Sequence, residues 1–186
     1  MSAPAFMPPP APLPRVLFVC TGNICRSPTA HALLAHKARQ RGWPMTVDSA
    51  AVSNEEAGRP MDARSARELT RRGYPPLTHR ARQVVAADFS RFDLVIGMTQ
   101  AHVHALQRQR ERARHSAPGA ELATVRRMLD VLPGPLHGQD VPDPWYGGEA
   151  DFIHAFDLID QAVEAWLADW ARPTPADLAE RPRADA

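Results

Sequence analysis

The segment Cys20-Thr21-Gly22-Asn23-Ile24-Cys25-Arg26-Ser27 places a cysteine and an arginine at the two ends of a short loop, with a serine directly after the arginine. If that loop enters a helix, successive backbone N–H groups turn inward and the helix dipole adds positive potential, which makes a nest for an oxyanion. A thiol at the bottom of such a nest is expected to sit as thiolate, the form of sulfur that attacks phosphorus. Arg26 can fork two hydrogen bonds onto phosphoryl oxygens, which the point charge of a lysine cannot do. Ser27 is placed to donate to the sulfur and help it leave. Asn23 can hold the shape of the loop through its side-chain amide, and Gly22 is expected to take a backbone turn that other residues resist. A Walker-type nucleotide loop is poorly matched, because the segment lacks the Gly-Lys-Ser/Thr ending.

Expelling an alkoxide or phenoxide requires a proton, so a carboxyl group must reach the nest from another loop. Asp130, Asp140 and Asp143 all lie in or beside one Pro/Gly-rich stretch. Residue types alone do not choose among them. His102-Val103-His104 invites a metal reading, but that spacing sends the two rings to opposite sides of a helix, and no ligand cluster accompanies them. No metal and no other cofactor is expected.

The elements around the loop suit this chemistry. Val16-Leu17-Phe18-Val19 is a short apolar run that reads as a strand buried on both faces. Ser27-Pro28, followed by Ala30, Leu33, Leu34 and Ala38, reads as the start of a helix with one apolar face. Further on, the pattern predicts a weak strand over 46–49, a helix over 62–72 stopped by Gly73, and a strong strand over 92–98. A helix over 100–112 follows, then a loop over 115–119, a last strand within 125–132, a loop over 133–148 and an amphipathic helix over 151–170. Alternating strands and helices imply an α/β domain whose parallel sheet is covered on both faces.

With 186 residues, of which 44% are hydrophobic and 23% charged, the chain has the makings of a single globular domain. Its 22 basic and 21 acidic side chains nearly cancel, so no whole-molecule field argues for nucleic acid, and anion specificity must be local. Residues 1–14 and 171–186 read as flexible Ala/Pro-rich tails around a domain at 15–170. The first of these lacks the charged start and apolar stretch of a leader, and no run approaches membrane-spanning length. With only two cysteines, both in one loop, the expected location is the cytoplasm. The basic stretch Arg108, Arg110, Arg112 and Arg114 reads as a solvated helix end.

The run Val-Leu-Phe-Val-Cys-Thr-Gly-Asn-Ile-Cys-Arg-Ser-Pro-Thr-Ala resembles the signature of the low-molecular-weight protein tyrosine phosphatases. The likeness continues through 49–64, His79-Arg80-Ala81-Arg82-Gln83, 92–98 and Asp143-Pro144-Trp145-Tyr146-Gly147, covering roughly residues 15–170. It implies a single domain with a four-stranded parallel sheet flanked by helices on both faces, and an oxyanion loop after the first strand. It also implies hydrolysis of phosphotyrosine through a phosphocysteine, with Cys20, Arg26 and Asp143 catalytic. Thr21, Gly22, Asn23, Ile24, Cys25, Ser27, Trp145 and Tyr146 would then surround the substrate, and Ser49 and His79 would support Asn23 from behind. The partner implied is a phosphotyrosine protein, and bacterial relatives are often paired with a tyrosine kinase. The sequence departs from the resemblance at Glu55, where several relatives carry an aromatic, and at Thr99, where many carry an aspartate. Glu55 and Glu56 would disfavour acidic phosphopeptides.

Two other functions compete with this one. A thiol arsenate reductase on the same fold needs further cysteines, and none follows Cys25. A non-catalytic phosphate-binding module needs neither nucleophile nor acid.

Overall fold

The computed structural model describes residues 13–75 and 77–172, so most of the two expected tails, 1–12 and 173–186, lies outside the described residues. Strand β1 (Val16–Cys20) is buried at every position. Its side chains alternate between two apolar clusters, Val16 and Phe18 joining one and Leu17 and Val19 the other. A strand apolar at every position therefore has a core on each face, as an interior strand of a parallel sheet requires.

Helix α1 (Arg26–Gln40) follows within five residues, and the chain returns parallel to β1 as β2 (Val47–Ala51). Helix α2 (Ala63–Arg71) is capped by Asp62, whose side chain accepts from Arg64 N, and Gly73 (φ +80°) takes the left-handed conformation after its end. A four-residue helix, α3 (Asp88–Arg91), precedes β3 (Leu94–Gly97), which pairs with the other edge of β1. Helix α4 (Gln100–Ser116), strand β4 (Thr124–Arg127) and helix α5 (Glu149–Trp170) complete the order. The sheet is wholly parallel in the order β2-β1-β3-β4. Side chains from α1 and α5 fill the cluster that includes Phe18, whereas Phe89, Phe92 and Leu106 fill the other.

Most boundaries shift by one or two residues, as β2 and the start of α5 do, and three differences matter more. Helix α4 runs on to Ser116 and takes in the start of the expected loop, with Arg110 Nε donating to Ala123 O at 2.7 Å and tying the helix to the chain beside it. Strand β4 ends at Arg127, and residues Met128–Val131 form a 3₁₀ turn instead of continuing the strand. There the Met128 side chain is fully buried and Trp166 Nε1 donates to its carbonyl at 3.1 Å, so packing against α5 pulls the chain out of the ladder. The strand expected over 92–98 is confined to its four central residues.

Because β2 and β4 lie on opposite sides of the adjacent pair β1 and β3, the connections leaving β1 and β3 diverge. They open a crevice at the carboxyl end of β1, the place where open α/β sheets bind ligands. Cys20 is the last residue of β1 and Arg26 the first of α1.

Candidate active site

The start of α1 carries no side-chain cap and no acidic residue in its first turn, and Pro28 removes one N–H there. The remaining N–H groups of the turn are available to an anion in the loop. Cys20 Sγ lies 3.0 Å from Ser27 Oγ and accepts a hydrogen bond from Asn23 N at 3.3 Å.

Asn23 fixes this loop. It is fully buried and holds φ +58°, the left-handed region that asparagine tolerates better than most residues. Its Nδ2 donates to Ser27 Oγ and to Ser49 Oγ, each at 2.9 Å, and its Oδ1 accepts from Arg82 N at 3.1 Å. His79 Nε2 donates to the Asn23 carbonyl at 2.6 Å, and burial holds its imidazole below the ordinary histidine range. Ser49 and His79 thus contact the asparagine that the resemblance assigned them to support. The special backbone position, however, is Asn23 and not Gly22. Gly22 is needed for another reason, since a Cβ there would lie 2.9 Å from Glu56 Cγ. Arg82, held between Asp48 and Asp88, was not singled out from the sequence.

Arg26 is 4% exposed. Its Nη1 donates to Val141 O at 3.1 Å and its Nη2 to Asp143 Oδ2 at 2.5 Å, while its Nε is buried without a partner among the described residues. Nε and Nη2 make the edge that a phosphoryl group would bridge. Of the three candidate acids, only Asp143 reaches this point. Asp130 accepts from Arg127 Nε at 3.0 Å, and Asp140 accepts from Gln100 N at 2.8 Å, which leaves both committed to holding β4 and α4.

Cys20, Thr21, Gly22, Ile24, Cys25, Arg26 and Asp143 share one cavity of about 220 Å³ with Glu55, Glu56, Trp145 and Tyr146. Trp145 is fixed by Arg64, whose guanidinium lies 5.4 Å from the Trp145 ring and 4.3 Å from that of Phe152. Tyr146 is 95% exposed at the rim. Glu56 pairs with Arg59 at 3.0 Å, whereas Glu55 has no cationic partner among the described residues. A larger groove of about 730 Å³ between α2 and the start of α5 contains no candidate nucleophile, so the smaller cavity holds the chemistry. His102, on the first turn of α4, is buried and lies 3.0 Å from Thr21 Oγ1. From the sequence alone its only visible role is that of a metal ligand. The signal that marks it is its place next to Val103 and one turn before Leu106, on the buried face of α4.

A doubly wound α/β domain with a cysteine-arginine oxyanion loop at its switch point belongs to a restricted class of phosphoryl-handling proteins. Comparison with known proteins narrows the class. The family model described as low molecular weight phosphotyrosine protein phosphatase matches residues 15–176, and the chain belongs to that family of phosphoric monoester hydrolases. A low molecular weight protein-tyrosine-phosphatase of Streptomyces coelicolor is 38% identical over 157 residues, covering 83% of this chain and 92% of that protein. Among solved structures, a drosophila arginine phosphatase superposes with a TM-score of 0.75 at 26% identity, covering 86% of this chain and 99% of the other. Wzb of Vibrio vulnificus, in complex with benzylphosphonate, superposes with a TM-score of 0.69 at 28% identity, covering 83% and 97%.

Proposed function

We propose that the chain hydrolyses phosphotyrosine in proteins through a phosphocysteine intermediate, with Cys20 as nucleophile, Arg26 as phosphate clamp and Asp143 as proton donor. The observation that carries this reading is the meeting of Cys20 Sγ, the Arg26 guanidinium and the Asp143 carboxyl in one cavity at the uncapped start of α1. The sulfur attacks phosphorus in line, the P–O bond to the leaving group breaks, and the proton of the Asp143 carboxyl passes to the departing oxygen. Water then attacks the phosphocysteine, giving its proton to the Asp143 carboxylate. The S–P bond breaks, and the Ser27 hydroxyl, 3.0 Å from the sulfur, steadies the returning thiolate. No step calls for a metal.

Trp145 and Tyr146 at the mouth suit an aryl leaving group. The arginine phosphatase among the structural neighbours makes phosphoarginine the competing substrate, which Glu55 at the cavity would favour through its charge. Among the described residues no helix is long and apolar enough to cross a membrane, and both cysteines are free. A reducing cytoplasm suits a catalytic thiol, and a tyrosine kinase acting on the same substrates is the natural counterpart.

The test is steady-state hydrolysis of para-nitrophenyl phosphate, a phosphotyrosine peptide and a phosphoarginine peptide, in the presence of a chelator. Turnover of the first two, abolished in Cys20→Ser while vanadate still binds, is the expected result. Hydrolysis by Cys20→Ser near the wild-type rate would reject Cys20 as nucleophile. Preference for phosphoarginine would reject the substrate assignment alone. Arsenate reduction without ester hydrolysis would replace the reading altogether.

A further inference from the structure

We propose that the Thr21 hydroxyl is a direct hydrogen-bond donor to the substrate's phosphoryl group, and that His102 is the residue that aims it; the proposal rests on the phosphatase reading above. His102 arrives from α4, far from Thr21 in sequence, and the fold makes room for it. Gly97 lies beside it, and a Cβ on Gly97 would come within 3.0 Å of His102 Cβ. Thr99 caps the helix start by accepting from His102 N at 3.2 Å, which fixes the turn that carries the ring.

The direction of the hydroxyl follows from counting donors and acceptors. His102 Nδ1 is buried without a partner among the described residues, and Nε2 is 3.0 Å from Thr21 Oγ1. A neutral imidazole carries one proton on one nitrogen. Were that proton on Nδ1, a buried donor would go unpaired, a rarer and costlier condition than an unused lone pair. The proton therefore belongs on Nε2, and His102 donates to Thr21. Arg26 Nη2 also donates to Thr21 Oγ1, at 3.4 Å.

A hydroxyl has two lone pairs and one hydrogen. Both lone pairs of Thr21 are then taken, one by His102 and one by Arg26, and its own hydrogen is left to point elsewhere. Thr21 lines the cavity that holds Cys20 and Arg26, so the acceptor this direction offers is an oxygen of the phosphoryl group. If instead His102 accepted from Thr21, the hydroxyl proton would be consumed behind the loop and Thr21 would bring only its oxygen to an anion. Burial, with the Arg26 charge adding to it and those of Asp143 and Asp140 opposing, pushes the His102 imidazole down to about 4. The ring therefore stays neutral near pH 7, and the donor pattern does not change across an ordinary assay range. His102 touches no substrate in this scheme and acts through Thr21.

The experiment combines five variants with a direct reading of the tautomer. Nitrogen-15 NMR of the wild-type protein at pH 7 should find the His102 proton on Nε2. Thr21→Val should melt like wild type, yet bind orthovanadate at least about tenfold more weakly and lose a similar factor in kcat/KM for para-nitrophenyl phosphate, as expected for a hydrogen bond to a charged group. Thr21→Ser, which keeps the hydroxyl, should stay near wild type. His102→Ala should lose less than Thr21→Val, and His102→Gln, whose amide can still donate, should recover part of that loss. The double variant Thr21→Val/His102→Ala should be no worse than Thr21→Val, because one interaction has been removed twice. A proton on Nδ1, wild-type vanadate affinity in Thr21→Val, or fully additive losses would each overturn the proposal. Absence of hydrolysis by wild type that still binds vanadate through Thr21 would overturn the phosphatase reading and leave this one standing.

Discussion

Arg26 Nη2 and Asp143 Oδ2 lie 2.5 Å apart, so the proposed clamp and the proposed acid hold each other across the mouth of the cavity. Arg26 is almost wholly buried while Asp143 keeps 41% of its side-chain exposure, so the carboxylate is the partner free to swing away. A phosphoryl group that takes the Nε–Nη2 edge of Arg26 competes with Asp143 for the same N–H. Substrate binding would thereby release the acid towards the leaving group.

Asp143→Asn is expected to slow hydrolysis by about 100–10,000-fold for alkyl phosphates and far less for good aryl leaving groups. Vanadate should bind at least as tightly as in wild type, since the competing carboxylate is gone. Asp140→Asn is the control. Its amide oxygen can still accept from Gln100 N, so the change removes chiefly the charge that faces Arg127 and should leave the dependence on leaving group nearly unchanged. A Brønsted series of aryl and alkyl esters checks both, and equal slowing across the series in Asp143→Asn would remove it as the acid.

Arg26→Lys should lose most of its kcat/KM and its vanadate affinity together. The three N–H groups of an ammonium spread from one nitrogen and cannot hold Val141 O while presenting two parallel, coplanar N–H groups to an oxyanion. Wild-type efficiency in this variant would refute the clamp.

The loop was legible in the sequence because its chemistry is local: Cys20, Asn23, Arg26 and Ser27 fall within one strand–loop–helix turn. The acid was not legible from residue types, since Asp130, Asp140 and Asp143 differ only in which arginine each meets. Arg127 holds Asp130 and Asp140, and Arg26 holds Asp143. Those pairings are set by the path of the loop between β4 and α5. Arg82 and His102 are not legible for a related reason, since their partners Asn23 and Thr21 are 59 and 81 residues away. Strand β4 is shorter than its sequence pattern because Met128 and Leu129 are apolar enough to extend it, and only the contact with Trp166 decides otherwise.

Cys25 sits in the same loop as Cys20, and both are buried and free. Burial pushes its thiol up to about 12, with neighbouring Asp62 and Cys20 adding to the effect, so it stays protonated near neutral pH. Under peroxide Cys20 is then the cysteine expected to become a sulfenic acid. Condensation with the Cys25 thiol would form a disulfide and release water. Cys25→Ser should retain its initial rate but recover poorly with dithiothreitol after peroxide, whereas wild type recovers and yields a Cys20–Cys25 cross-linked peptide by mass spectrometry. Equal recovery with no such peptide would leave Cys25 a packing residue.

Folding stability should fall in mild acid through His102. Its imidazole ionises near 4 in the folded chain and near the ordinary 6.5 when unfolded. Above about pH 6.5 neither state carries the proton and the contribution is complete. As pH falls towards 4 the unfolded state takes up the proton first, and stability is lost by at most about 3 kcal/mol. His31 and His79, both held low by burial, act in the same direction. Urea midpoints at pH 7 and pH 5 should differ less in His102→Gln than in wild type. An unchanged difference would show that His102 is not protonated on unfolding.

The proposed mechanism requires that a phosphoryl group pass through the sulfur of Cys20. Rapid acid quench of the enzyme turning over an aryl phosphate, followed by digestion and mass spectrometry, reads this directly. A phosphoryl group on the peptide containing Cys20 is predicted, accumulating further when Asp143→Asn slows the attack of water and absent in Cys20→Ser. Multiple turnovers with no phosphorylated peptide in either wild type or Asp143→Asn, or a phosphoryl group found on another residue, would contradict the account.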